Sequence, residues 1–274
     1  MKTFVLYVFI FFLTGNICAQ TYEDFIRESY DYVDMDDLPA AEECLKAAMR
    51  LEPANRYNYA LLTNLGTIQR RQGHFDDALL SYTVALSQQP KNEMILENRA
   101  ALYTEMGEME LALSDYQTLL VNNPLHEEAL YQRGLLYIQS ENFILAEIDF
   151  EKIMEINKET VKGRLGYAIL EKVRGNFTES EVILTYLIGK YPNYLLLYEE
   201  RAELYFLMNR RGRAMTDLNK VFAETPKPSA ELYVLRGRIK LAQYEKESAA
   251  IDFRKALALG YDSATIEALL KQTY

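Results

Sequence analysis

A chain of 274 residues that is 49% hydrophobic and 26% charged carries enough apolar material for a substantial core, which excludes a disordered tail. Its 40 acidic against 30 basic residues leave a formal charge of -10, so electrostatics gives it no reason to approach a phosphate backbone and nucleic acid is not an expected partner. The two cysteines, Cys18 and Cys44, are too few for a disulfide framework.

Met1 to Gln20 carries one lysine, an unbroken apolar run from Phe4 to Leu13, Gly15 and then small residues. This is the pattern of a secretory signal, with cleavage expected after Ala19. The apolar run is short for a spanning helix, which needs about 20 residues. The chain therefore divides into a signal at 1–19 and a folded part at 20–274, and the expected destination is the bacterial periplasm, with outer-membrane association or secretion as alternatives. Membrane attachment would require a lipid anchor at Cys18, a reading weakened by Ile17, where such signals resemble one another in having a small residue. With the signal removed only Cys44 remains, and its place between Glu43 and Leu45 predicts a buried, inert thiol.

Beyond the signal the prolines set a period. Pro53, Pro90, Pro124, Pro192 and Pro226 are separated by 37, 34, 68 and 34 residues, the double step lacking a proline at Lys158. A ladder of small residues runs Ser29, Gly66, Ala100, Gly134, Ala168, Ala202, Gly237, and another runs Ala41, Ala78, Ala112, Ala146, Ser180, Ala214, Ala249. Within a unit such as Glu93 to Pro124, apolar Leu96, Ala100 and Tyr103 fall at helical spacing, Gly107 punctuates, and Leu111, Ala112, Tyr116, Leu119 and Leu120 restart the pattern. Each unit thus reads as two amphipathic helices joined by a tight turn, with Gly73, Gly107 and Gly175 supplying positive φ. The small residues mark where helices approach closely.

Repeated helix pairs with a period of 34 residues resemble the tetratricopeptide (TPR) repeat. The resemblance implies an all-α, right-handed α-solenoid of helix-turn-helix repeats at about 22–55, 59–92, 93–126, 127–160, 161–194, 195–229 and 230–262, closed by a capping helix over 263–274 that starts at Asp262 or Ser263. The chain departs from the family pattern in having no tryptophan, in extra residues around Ala54 to Tyr57, and in the missing proline of the fourth repeat.

One internal pattern concerns charge. Arg99, Arg133, Arg201 and Arg236 occur in the same repeats as Asp115, Asp149, Asp217 and Asp252, whereas the other repeats lose both together, having Glu28 with Cys44, Leu65 with Ser81 and Tyr167 with Ile183. Joint presence and joint loss predict partly buried ion pairs that fasten one helix to the other.

Catalytic constellations are absent. His74 and His126 have no partner at metal-ligand spacing, and there is no GxSxG, HExxH, Walker loop or GxGxxG. No catalytic residues, cofactor, metal or small-molecule substrate are expected, and the chain is not read as an enzyme. Asn176-Phe177-Thr178 matches the N-glycosylation acceptor but lies at a turn where those residues are expected anyway.

The residues placed to face away from the packing ladder are those one after the small residue and three or four to either side. They give an apolar strip from Tyr131 through Leu135, Ile138, Leu165, Ile169 and Lys172 to Val173, with Phe206 beyond it, Arg70 and Arg71 toward one end, and Glu199 and Glu203 toward the other. An exposed apolar strip marks a contact surface. The expected function is therefore an exported scaffold or adaptor that binds a protein or extended peptide in the concave groove. The alternative is a structural array acting by self-association or within an envelope complex. No asparagine follows the small residue in any repeat, so the groove does not resemble the carboxylate-clamp variety of the family.

Overall fold

The structure is a computed structural model that describes residues 20–273. The expected signal and Cys18 lie outside the described residues. Among the described residues there are fifteen helices, all α. The chain forms two units, residues 1–112 and 113–274.

The first unit holds α1 (Tyr22–Asp34), α2 (Leu38–Leu51), α3 (Asn58–Arg71), α4 (Phe75–Gln88) and α5 (Glu93–Met106). The helix α6 (Met109–Asn122) straddles the division. In the second unit follow α7 (Glu127–Gln139), α8 (Phe143–Ile156), α9 (Val161–Val173), α10 (Phe177–Lys190), α11 (Leu195–Leu207), α12 (Arg211–Glu224), α13 (Ala230–Ala242), α14 (Lys246–Ala258) and α15 (Ser263–Lys271). Within each unit consecutive helices pack as antiparallel pairs, and first helices of neighbouring repeats also touch: α3 with α5, α7 with α9, α9 with α11, and α11 with α13.

Helix starts follow from capping chemistry. Thr21 and Asp24 form a capping box on α1, and Asn92, Ser229 and Asp262 accept backbone N–H groups from α5, α13 and α15. The turn inside each repeat is the same left-handed stop used seven times. Asp36, Gly73, Gly107, Glu141, Gly175, Asn209 and Tyr244 all have φ between 59° and 84°. In each case the next residue donates its N–H to a carbonyl five residues back, as Glu108 does to Tyr103 at 2.8 Å and Arg210 to Tyr205 at 2.7 Å. Glycine was expected at three of these turns; the remaining four accept the same conformation without it. Where the fourth repeat lacks its proline, Asn157 ends α8 instead, its side-chain oxygen accepting from the Glu159 N–H at 3.0 Å.

The core follows the ladders. Ala41, Ala78, Ala112, Ala146, Ser180, Ala214 and Ala249 are all fully buried. A further ladder, not anticipated above, runs Leu45, Tyr82, Tyr116, Phe150, Leu184, Leu218, Phe253, none more than 2% exposed. Each stands sixteen residues after the small residue of its repeat's first helix. A Cβ on Gly66 would meet Tyr82 at 2.8 Å, one on Gly134 would meet Phe150 at 2.5 Å, and one on Gly237 would meet Phe253 at 2.5 Å. Glycine there is the space an aromatic ring occupies. The tyrosines three residues after the small residue of the first helix sit beside that contact at different depths: Tyr205 is buried, whereas Tyr32, Tyr103 and Tyr137 are half-buried.

The arginine–aspartate geometry is bidentate. Arg133 donates to Asp149 at 2.8 and 2.6 Å, Arg201 to Asp217 at 2.8 and 2.9 Å, and Arg236 to Asp252 at 2.9 and 2.6 Å. All three aspartates are buried, so the fork of paired N–H groups replaces the water they lose. Arg99 belongs to the first unit and the buried Asp115 to the second. In the second repeat, which lacks the pair, a hydrogen-bonded chain takes its place: Ser81 donates to Gln69 at 2.7 Å, and Gln69 donates to the Glu42 carboxylate at 2.9 Å.

Candidate functional site

The face to be described is made by the first helix of each repeat, and the second unit carries most of the strip proposed from sequence. One position after the small residue, Leu135 and Ile169 are half-buried while Glu203 and Arg238 are exposed. Four positions after it, Ile138 and Phe206 are half-buried. One residue further on, Val173 and Leu207 are 48% and 49% exposed. These side chains lie on α7, α9 and α11 and form the apolar part of the face.

Two residues expected there are placed differently. Tyr131 is 7% exposed and Leu165 is fully buried. Both stand three residues before the small residue, as do Thr63 and Val234, which are also buried. Neighbouring first helices lie side by side, and this position fills the seam between them instead of facing outward. The Tyr131 ring packs against Phe150 at a centroid distance of 6.2 Å. Burial, reinforced by the charge of Glu200, pushes its phenol well above the usual range.

The basic residues assigned to the strip are all engaged in ion pairs. Lys172 is buried and donates from Nζ to Glu200 at 2.7 Å and to Glu203. Burial alone would lower its pKa, but the two carboxylates outweigh that and hold it raised. Arg70 meets Glu105 through two bonds of 2.8 and 2.6 Å, joining α3 to α5. Arg71 pairs with Asp36 at 2.9 Å. Each therefore ties one repeat to another.

Between α11 and α13 the face opens into a cavity of about 330 Å³. It is lined by Glu199, Glu200 and Glu203 from α11 and by Glu231, Leu232, Val234 and Arg238 from α13, among others. Glu199 occupies the seam position that Tyr131, Leu165 and Val234 fill in neighbouring repeats. Burial and the adjacent Glu200 raise its pKa. Sequence reasoning placed Glu199 and Glu203 on the face but missed Glu200 and Glu231. The run Glu199-Glu200-Arg201-Ala202-Glu203 was the available signal, since three carboxylates within five residues of one helix must crowd one another.

Cys44, which occupies the aspartate register of a repeat without the arginine, is half-buried, not buried as expected. Burial and then Glu28 and Glu43 still push its thiol up, away from the reactive thiolate. His126 caps α7, its Nδ1 accepting from the Ala129 N–H at 3.2 Å. Among the described residues no three His, Cys, Asp or Glu side chains are grouped to hold a metal ion, and no helix is long and apolar enough to cross a membrane.

Comparison with known proteins agrees with this geometry. Models of the tetratricopeptide repeat match residues 26–93 and 127–160. The crystal structure of a tetratricopeptide repeat protein from Parabacteroides merdae is 63% identical and superimposes with a TM-score of 0.82, covering 93% of this chain and 99% of that one. PilW, a type IV pilus biogenesis factor, is similar in fold at 20% identity and a TM-score of 0.60, over 78% of this chain and 96% of its own. MamA is similar at 17% identity and 0.53, over 63% and 93%. No protein of curated function matches. With this relative, these repeat matches and this succession of paired helices, the chain belongs to the tetratricopeptide-repeat family, whose members generally act as protein–protein interaction scaffolds.

Proposed function

We propose that this protein is an exported adaptor that holds another protein, in extended form, against the face of its first helices. The observation that carries the reading is the row of Leu135, Ile138, Ile169, Val173, Phe206 and Leu207, apolar side chains that are half-buried or exposed on three consecutive first helices of the second unit. Apolar groups so placed gain free energy, roughly 25 cal/mol per Å², only when a partner covers them. Export rests on the residue pattern of Met1 to Gln20.

A photo-crosslinking residue at Ile138 in the native cell should trap a partner that the same residue at Glu155, on the outer surface of α8, does not. Replacing Leu135 and Ile169 with aspartate should abolish that capture while the helical circular-dichroism signal persists. Undiminished capture by the doubly substituted protein would refute the site. Export is checked separately by sequencing the N-terminus of the mature protein, expected to begin at Gln20.

A second reading has its own observation. Ile144, Leu145 and Ile148 on α8 and Val182 on α10 are 43% to 73% exposed on second helices. Self-association through them predicts a mass that rises with concentration in light scattering and a return to monomer with Ile148→Lys.

A further inference from the structure

We propose that α9 is a salt-responsive latch, a helix at the centre of the apolar row that is seated by ion pairs to three neighbouring helices and leaves its seat when those pairs are screened. The latch is a property of the chain alone and goes beyond the adaptor reading.

The sequence makes α9 weak as a helix. Gly163 and Gly166 fall inside its thirteen residues, and glycine is the poorest helix former apart from proline. Packing requires both. A Cβ on Gly166 would meet the Phe150 ring at 2.3 Å, and one on Gly163 would meet Met154 at 2.8 Å. The helix is thus shaped to fit α8, against its own conformational preference.

The arginine–aspartate clasp of the neighbouring repeats is also missing. Where Arg133, Arg201 and Arg236 each hold an aspartate of the paired helix, the fifth repeat has Tyr167 and Ile183. Between α9 and α10 the polar contacts are lighter: Ser180 donates to the Ala168 carbonyl at 2.8 Å, and Arg164 lies over the Tyr186 ring at 5.1 Å.

The ion pairs of α9 reach outside the repeat instead. Lys162 pairs with Glu128 on α7, and Lys172 with Glu200 at 2.7 Å and with Glu203 on α11. Arg174, the C-terminal cap of α9, pairs with Glu147 on α8 at 2.7 Å. Cations near both ends of the helix therefore go to three different helices. Their carboxylates are 19% to 49% exposed, against 2% to 6% for Asp149, Asp217 and Asp252 in the clasps. Salt screens charges that water reaches and largely spares those it does not. Rising ionic strength should loosen α9 while the clasped repeats on either side stay shut. Because α9 carries Ile169 and Val173, its release interrupts the row between α7 and α11.

Hydrogen exchange followed by mass spectrometry at one pH tests the latch. Between roughly 50 mM and 1 M potassium chloride the amides of α9 should exchange about tenfold faster, and those of α7 and α11 less than about threefold faster. Lys162→Met with Lys172→Met should bring α9 to the fast exchange, about tenfold above the native protein, already at low salt. Tyr167→Arg with Ile183→Asp supplies the missing clasp and should slow α9 and remove its salt response. The first comparison uses the native protein, so it decides even where a variant fails to fold. Indifference of α9 to salt, or acceleration spread evenly from α7 to α13, overturns the latch. So does unchanged α9 exchange in the lysine double variant, or a folded clasped variant that keeps the full salt response.

Discussion

At the scale of single residues, the tightest constraint in this protein is a contact between two positions sixteen apart. Gly237 and Phe253 show it plainly: a methyl group at Gly237 would lie 2.5 Å from the ring. Gly237→Ala is expected to destabilise by about 1–3 kcal/mol, the usual cost of overpacking, and adding Phe253→Leu should recover part of it. The combination reproduces Ala202 and Leu218, the solution already present one repeat earlier. Urea denaturation of the two variants checks this, and a double variant no better than the single one would show that the glycine serves another purpose. The adjacent ion pair gives a second expectation. Asp149 is 1% exposed and accepts both N–H groups of the Arg133 fork. Asp149→Ala should cost about 3 kcal/mol, because it leaves a guanidinium half-buried without its counter-ion. Unchanged thermal stability would contradict that. The arginine–aspartate relation was readable from sequence because both members vary together across repeats. The glycine–aromatic relation was equally present in the letters but was overlooked, since tyrosine, phenylalanine and leucine at one position look like ordinary core variation until the space opposite is known.

At the scale of helices and turns, the seven left-handed stops differ in strain. Tyr244 holds φ at 66° with its side chain 87% exposed, so it bears the cost of that conformation without packing gain. Tyr244→Gly should therefore stabilise by about 1 kcal/mol, visible as a higher melting temperature. A decrease would mean the ring has a contact beyond those of the isolated chain. Acid should act through the Glu42 network, which joins α2 to α3. Burial would raise the Glu42 pKa, but hydrogen bonds from Gln69, Lys46 and Gln72 outweigh it and hold the group below its ordinary 4.5. A lowered folded pKa means a contribution to stability that is complete above the ordinary value and fades as pH falls through the folded one. Between about pH 6 and pH 3 the native protein should lose more thermal stability than Glu42→Gln, and parallel curves would remove Glu42 from the account. Helix identity, pairing and turn placement were legible from the period, because each depends on contacts within one repeat. Which residues face outward was not. Tyr131 and Leu165 went to the seam because their environment is set by the next repeat's helix, and no periodicity within a single helix carries that rotation.

At the scale of the whole molecule, repeats depend on their neighbours, so the terminal one needs a partner that is not a repeat. Ile266 on α15 is fully buried against Val234, Phe253 and Ala256. Ile266→Ala is expected to cost roughly 2–5 kcal/mol and to loosen the last repeat first, so hydrogen exchange should accelerate in α13 to α15 before it does in α7 to α9. Uniform acceleration would show that the array opens as one body. The sixteen-residue offset has a further consequence. In the fourth, sixth and seventh repeats the ion pair and the small-residue contact occupy adjacent positions: Arg133-Gly134 with Asp149-Phe150, Arg201-Ala202 with Asp217-Leu218, and Arg236-Gly237 with Asp252-Phe253. Four residues thus form one heritable block that tolerates change only in concert. Change at any one of them passes through a less stable intermediate, in keeping with the three repeats without the pair lacking both of its members. The scaffold stays fixed by mutual dependence, and specificity can be rewritten on top of it.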